Sequence, residues 1–293
     1  PLALALYGHP QSLAALKERL PVPVFAGPEE ALEALERQMR YHEQRATAPF
    51  VPDPVAEVDR RAAAAWLADR DGTAGEEALA LVACYGLAGV RSAVARTAGE
   101  AGRLAAAIGC PVVLKVVAAG VLHKTEVGGV LTGVASPQAA ESGFATIEAG
   151  LANSLPGTKL AGVRVAAMAP AGLDLFIGGL QDPVFGPVVV FGAGGIQVEV
   201  FADVARLLCP TGEAEVLAEL GRLHCARLFE EFRGRPAMDP APFARAVVRV
   251  GQLLVDFPEI AELDLNPVRL TDDGALLALD ARLRLTTPAT DRD

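Results

Sequence analysis

Lysine is scarce. Lys17, Lys115, Lys124 and Lys159 are the only four in the chain, and arginine carries nearly all the remaining positive charge, so the places where lysine was kept are informative. Long apolar runs are missing too: hydrophobic residues make up 52% of the sequence, yet Gly, Pro or a charge interrupts every run before the roughly 18 residues a membrane span needs. This excludes a membrane helix. There is no basic stripe with interleaved aromatics, and the formal net charge of −10 repels a phosphate backbone, so nucleic acid is excluded as a partner. Cys84, Cys110, Cys209 and Cys225 are scattered without CxxC spacing, which excludes a disulfide framework and a zinc site. Reduced thiols in a cytoplasmic compartment are the expectation. No signal peptide opens the chain, which starts at Pro1 and runs directly into an apolar segment; it reads as a piece of something longer.

What is present alternates helical and strand patterns, an α/β (α+β) class. Residues 2–7 read as a buried strand, Gln11–Leu20 as a helix, Val22–Phe25 as a strand, and 28–44 as a helix opened by Pro-Glu-Glu, where proline and carboxylates suit the first turn. Residues 46–73 have the composition of a linker with one exposed helix around Trp66. From Gly75 the pattern predicts helices 75–84, 98–108 and 137–153 with strands 112–117 and 129–134. Strands near 161–168, 173–180, 187–191, 262–270 and 275–280 follow, with helices near 213–231 and 240–256. Two α+β lobes with a cleft between them are expected.

Three segments carry candidate chemistry. Lys115 ends the apolar run Pro111-Val-Val-Leu, so its ammonium needs an anion or must reach out to water. Lys124 lies in His123-Lys-Thr-Glu-Val-Gly-Gly129, where the glycines allow close backbone approach to a ligand or simply close a hairpin. Val188-Val-Val-Phe-Gly-Ala-Gly-Gly195 is a strand running into a glycine-rich turn that leaves room for a phosphate, but it has neither GxGxxG spacing nor a Lys-Ser/Thr ending. Rossmann and Walker sites are thus unsupported. Finally, Glu262-Leu-Asp-Leu-Asn-Pro267 places Glu262, Asp264 and Asn266 on one strand face. Leu276-Leu-Ala-Leu-Asp280 would return as the other half of a hairpin and set Asp280 beside Asn266, a way to hold Mg²⁺ or a pair of solvated groups.

Together with Tyr85-Gly-Leu and Asp182-Pro-Val-Phe-Gly-Pro187, and in this order, these segments resemble the ATP-grasp domain of the NDP-forming acyl-CoA synthetases, such as ADP-forming acetate:CoA ligase. The resemblance implies an ATP-grasp fold over 74–288, with lobes of about 74–155 and 156–288. It also implies a preceding linker, 46–73, and a flavodoxin-like α/β fragment of a CoA-ligase domain at 1–45. The implied reaction converts acyl-CoA, phosphate and ADP to carboxylate, CoA and ATP through a phosphohistidine. The primary histidine, CoA and acyl-CoA would belong to upstream domains of the same polypeptide or of a partner subunit, and the intact protein would be a homo-oligomer. By motif position, Lys115, Lys124, Asp174, Gly192, Gly194 and Gly195 would bind ATP or ADP, and Asn266 and Asp280 would hold Mg²⁺. His123, Asp264 and Glu199 would form the catalytic set, with His123 a second phosphate carrier through its imidazole.

The sequence departs from the family pattern in places. Ala118-Ala119 stands where Ser-Pro is usual, Ala166 where the hinge has Gln, Asp174 where the next strand has Glu, and Glu126 where the histidine motif has Asp. The altered hinge and the Ala118-Ala119 pair motivate an alternative from another class, a regulatory acyl-CoA synthetase-like module of a protein lysine acetyltransferase, whereas Glu126 keeps the charge. A carboxylate–amine ligase is a third reading, for which no amine-binding motif is visible. His9, His42 and His224 have no motif around them.

Overall fold

The computed structural model describes residues 2–46, 55–70, 72–118, 121, 124, 127–194, 203–231 and 236–286. The chain divides into two compact units, residues 1–53 and 54–293. The dividing point falls inside the segment expected to be a linker.

The first unit runs β1 (Leu4–Ala5), α1 (Pro10–Arg19), β2 (Val24–Phe25) and α2 (Pro28–Ala46), with β1 and β2 paired in parallel. Parallel neighbours require a crossover, and α1 supplies it. Proline opens both helices, and Glu29 and Glu30 sit in the first turn of α2, where a carboxylate meets the positive helix end.

The second unit holds two sheets with separate cores. The larger sheet has the order β10 (Val204–Leu208), β9 (Gly186–Ala193), β8 (Gly172–Asp182), β11 (Ile260–Thr271), β13 (Arg282–Leu285) and β3 (Thr73–Ala74), with β12 (Leu276–Ala278) also on β11. Ala193, Leu175, Val268 and Ala278 form one row of register partners across four strands, and all four are buried. Alternation along a strand then puts their neighbours Gly192, Gly194, Asp174, Phe176 and Arg269 on the other face. The buried face packs on α7 (Glu213–Leu220) and on α8 (Ala241–Asp256), whose Phe243, Val247, Val250 and Leu254 recur at helical spacing. A side chain on Gly179 would strike Leu254, which fixes how close α8 lies. α3 (Arg60–Ala68), a 3₁₀ turn (Glu76–Ala78) and α4 (Leu79–Ala83) also belong to this core through Ala63, Leu67, Ala78, Leu81 and Val82. Tyr85 completes it, donating from its hydroxyl to Asp256 at 2.6 Å.

The smaller sheet has the order β4 (Ser92–Ala95), β7 (Leu160–Ala167), β5 (Val112–Ala118), β6 (Val130–Val134), all antiparallel. One face is covered by α5 (Ala98–Ile108) and α6 (Pro137–Ser154), capped by Thr97 and Ser136, whose hydroxyls accept from the backbone N–H three residues on. Val112, Leu114, Val116, Val163 and Val165 point into that core. Lys115 and Arg164, register partners on β5 and β7, therefore project from the opposite face.

The lobes divide differently from the expected 74–155 and 156–288. β7 belongs to the small sheet, whereas 73–87 pack into the large core. The helix of the expected linker is also less exposed than its composition suggests, because Ala63 and Leu67 are buried in that core. The helix expected over 213–231 stops at Leu220 and resumes as a 3₁₀ turn, His224–Phe229. Strands β3, β4, β10 and β13 were absent from the expected set: they are short, and arginine breaks the apolar pattern of the last two.

Burial pushes the Cys209 and Cys225 thiols up to about 12, and desolvation followed by the Asp59 charge also raises Cys84. Cys110 is exposed. Since the thiolate is the reactive form, a thiol reagent at neutral pH should label Cys110 rapidly in the native protein, and Cys209 and Cys225 only after denaturation. Mass mapping of the labelled peptides checks this, and fast native labelling of Cys225 would contradict the described packing.

Candidate active site

The two lobes meet through charge. Glu76, 5% exposed, rises from the 3₁₀ turn of the large lobe toward three cations of the small lobe. Its Oε1 is 3.2 Å from Lys115 Nζ and 2.5 Å from Lys124 Nζ, and its Oε2 is 3.0 Å from Arg164 Nε. The last is an ion contact without hydrogen-bond alignment; Arg164 also donates to Ser92 Oγ at 3.1 Å. Lys115 donates in addition to the Leu279 carbonyl at 2.7 Å, and Lys124 to both Asp280 oxygens at 3.2 and 3.3 Å. Burial pushes the Glu76 carboxyl up, but Lys115, Lys124 and Arg164 together hold it below the usual value. Asp280 is pushed up, first by burial and then by Glu76.

β12 delivers Asp280. The register Val268–Ala278 continues to Leu279, whose N–H donates to the Pro267 carbonyl at 3.0 Å, so Asp280 comes level with Asn266. Asp264 shares the pleat of β11, paired with Gly178 of β8 and Arg282 of β13. Its Oδ1 is buried with no hydrogen-bond partner among the described residues. Burial raises this carboxyl; Arg282 offsets part of the rise, and Asp280 and Glu262 add to it.

The expected residues fall into three sets. Lys124 contacts Asp280 directly, Lys115 joins them through Glu76 and the Leu279 carbonyl, and Asn266 and Asp264 lie on the adjoining strand. Gly192 and Gly194 lie on the same sheet face at the level of Phe176 and Asp174, two strands from β11, or roughly 10 Å. Gly192 is the penultimate residue of β9, not part of a turn, and a side chain there would strike the Asp203 carbonyl; one on Gly194 would strike the Leu175 backbone. Both glycines thus let the sheet close tightly. Asp174 forms a two-point ion pair with Arg269 at 2.6 and 2.8 Å. His123, Gly195 and Glu199 lie outside the described residues.

Glu76 and Arg164 were not foreseen. Glu76 sits in a plain Gly75-Glu-Glu-Ala stretch, and its position inside the cluster depends on the fold of the whole lobe. Arg164 could have been found from strand alternation, as the one charge inside the β7 run.

The groups suit a polyanion with a metal. Three cations face two carboxylates, leaving one positive charge over in a chain of strongly negative net charge. Asp264 has an orphaned oxygen, and the Asp280 charge adds to the cost of ionising it, a cost that a cation nearby would relieve. Asn266 adds a neutral oxygen. No set of three His, Cys, Asp or Glu side chains forms a metal cage among the described residues.

Residues 65–285 match the model of the ATP-grasp domain. The chain belongs to the ATP-grasp family. Among its relatives is the beta subunit of ADP-forming acetate–CoA ligase I of Pyrococcus furiosus, 34% identical over 209 residues, which are 71% of this chain and 90% of that subunit. The ADP-forming acetate–CoA ligase I of Archaeoglobus fulgidus is 33% identical over 257 residues, 86% of this chain and 37% of that longer protein. A solved structure of dinucleotide-forming acetyl-coenzyme A synthetase 1 of Ca. Korarchaeum cryptofilum, with coenzyme A and Ca-AMPCP, aligns with a TM-score of 0.72 at 32% identity, covering 78% of this chain and 99% of that one. In another structure of that synthetase, with Mg-AMPPCP, the phosphohistidine segment points towards the nucleotide-binding site; it aligns at 0.66 and 31% identity.

Asp264 gives a pH-dependent prediction. A group whose pKa is raised on folding favours the native state most where it is protonated, and that contribution is lost as pH rises through its folded value. Asp264→Asn should therefore stabilise the protein at pH 7 by about 1 kcal/mol, roughly 2–4 °C in Tm. The gain should vanish below about 3.8, where the carboxyl is protonated in both states. Thermal denaturation across pH reads it, and a loss of stability at pH 7 would show that Asp264 has a partner in solution.

Proposed function

We propose that this chain is the nucleotide-binding and phosphoryl-transfer part of an ADP-forming acyl-CoA synthetase. The observation that carries the reading is the meeting of Lys115, Lys124 and Arg164 with Glu76 and Asp280 where the two lobes join. A phosphate chain laid there would find two ammonium groups as point charges and a planar guanidinium beside them. Asn266 and Asp280 would hold Mg²⁺, which when bound draws the phosphate oxygens together and neutralises their charge. Lys115, kept in place by the Leu279 carbonyl, orients the chain of phosphates, and the low exposure of the cluster limits competing water. Asp264, on the same face, is positioned to meet the imidazole that brings the phosphoryl group, and an ionised carboxylate there orients that ring.

The complete reaction would turn acyl-CoA, phosphate and ADP into carboxylate, CoA and ATP. CoA, the acyl group and the primary phosphohistidine would sit on domains fused upstream or on a partner subunit. One relative, of Pyrococcus, is a beta subunit matched over 90% of its length, and the Archaeoglobus ligase is a longer chain of which 37% is matched. The second reading, a regulatory acyl-CoA synthetase-like module of a protein lysine acetyltransferase that binds ligand without turnover, is motivated by the buried Ala166, whose side chain offers a base no polar group.

Calorimetric titration with Mg-ADP and Mg-ATP tests the proposal. Saturable binding below millimolar is expected, and Lys115→Ala should weaken it at least about tenfold, or 1.4 kcal/mol. Absence of binding up to millimolar nucleotide would remove both readings. Binding without phosphoryl transfer from a phosphorylated partner domain would leave the regulatory one.

A further inference from the structure

Glu76 has a place that the proposed chemistry does not use. It is the buried carboxylate against which both candidate phosphate-binding lysines rest, and it comes from the opposite lobe. Its neighbour Glu77 is exposed, so the burial is specific to one side chain. The three cations that converge on it, Lys115, Lys124 and Arg164, all belong to the small lobe; Asp280 and the Leu279 carbonyl, which take the remaining lysine bonds, belong to the large one. The apolar cores of the lobes are separate.

We propose that Glu76 is the resident counter-anion of the nucleotide site: its carboxylate holds Lys115 and Lys124 in the position of a phosphate and gives them up when a phosphate arrives. Glu76 is then a positioning residue that ties occupancy of the site to the joint between lobes. The inference rests on the nucleotide reading of these lysines. Its physical basis is competition within a fixed set of charges. Three cations can satisfy one carboxylate of Glu76 and one of Asp280 and still carry a surplus, so an incoming polyphosphate is attracted; it brings more negative charge than the single carboxylate it replaces. Until the phosphate arrives, the carboxylate offsets the mutual repulsion of two ammonium groups and a guanidinium.

Mg-ADP and inorganic tripolyphosphate should be titrated into wild type, Glu76→Gln, Glu76→Asp and Glu77→Gln. Removing the competing charge while keeping the shape should make Glu76→Gln bind tripolyphosphate about 3- to 10-fold more tightly. Glu76→Asp, which restores the charge, should stay within about twofold of wild type, as should Glu77→Gln. A residue that only supports the fold would weaken binding when changed. Hydrogen exchange on the wild type supplies a measurement independent of any variant: tripolyphosphate should speed exchange at residues 76–78, as their side-chain anchor is released. Equal or weaker binding by a folded Glu76→Gln, with wild-type binding intact, overturns the inference and leaves the nucleotide reading standing. So does unchanged exchange at 76–78 in saturated wild type. Failure of every form to bind overturns both.

Discussion

A single buried carboxylate, Glu76, holds the geometry of the candidate site. Each lobe completes an apolar core of its own, so hydrophobic burial specifies each lobe but contributes little to how the two are joined. Among the described residues, the join includes ionic and polar contacts from Glu76, Asp280 and the Leu279 carbonyl to Lys115 of β5, Arg164 of β7 and Lys124. Removing one partner from such a buried set typically costs about 3–5 kcal/mol, because the others are left uncompensated. This makes the arrangement specific in register although its net contribution to stability is modest. The same chemistry that locates the lobes is the chemistry a phosphate would use.

The large sheet divides its labour by face. The side packed on α7 and α8 is apolar without interruption, from Leu175 and Ile177 to Leu263, Leu265 and Val268. The other side carries Asp174, Asp264, Asn266 and Arg269, with glycines at 178, 192 and 194. Those glycines are needed for contact: added side chains would meet the Phe176 ring, the Asp203 carbonyl and the Leu175 backbone. Close strands keep the polar face level, which brings groups from β8, β11 and the turn after β12 to a common height.

Much of this was legible from residue patterns. Period-two alternation placed Glu262, Asp264 and Asn266 on one face, and the hairpin to Asp280 followed from two short apolar runs with a turn between them. The lysine at the end of Pro111-Val-Val-Leu was informative because lysine is so rare in this chain. What escaped was decided at long range. Glu76 lies 39 residues before Lys115 and 48 before Lys124, and no local pattern separates it from the exposed Glu77. The edge strands β4 and β10 were missed because a sheet edge tolerates alanine, serine and arginine, which carry little strand signal. The assignment of β7 to the small sheet is likewise a pairing choice, settled by β5 and β4 on either side of it.

The order of the pieces along the chain has its own consequence. The small lobe, β4 to β7, is one uninterrupted stretch, whereas the large core draws α3 and α4 from before it and everything from β8 onward from after it. During synthesis from the N-terminus, the small lobe can close its core while most of the large sheet is still unmade. The large lobe must wait for β11 and β13, and its leading helices stay unburied until then. The inserted lobe needs nothing from β8 onward to close, whereas the ionic joint at Glu76 needs Asp280 and so cannot be complete until β12 has been made.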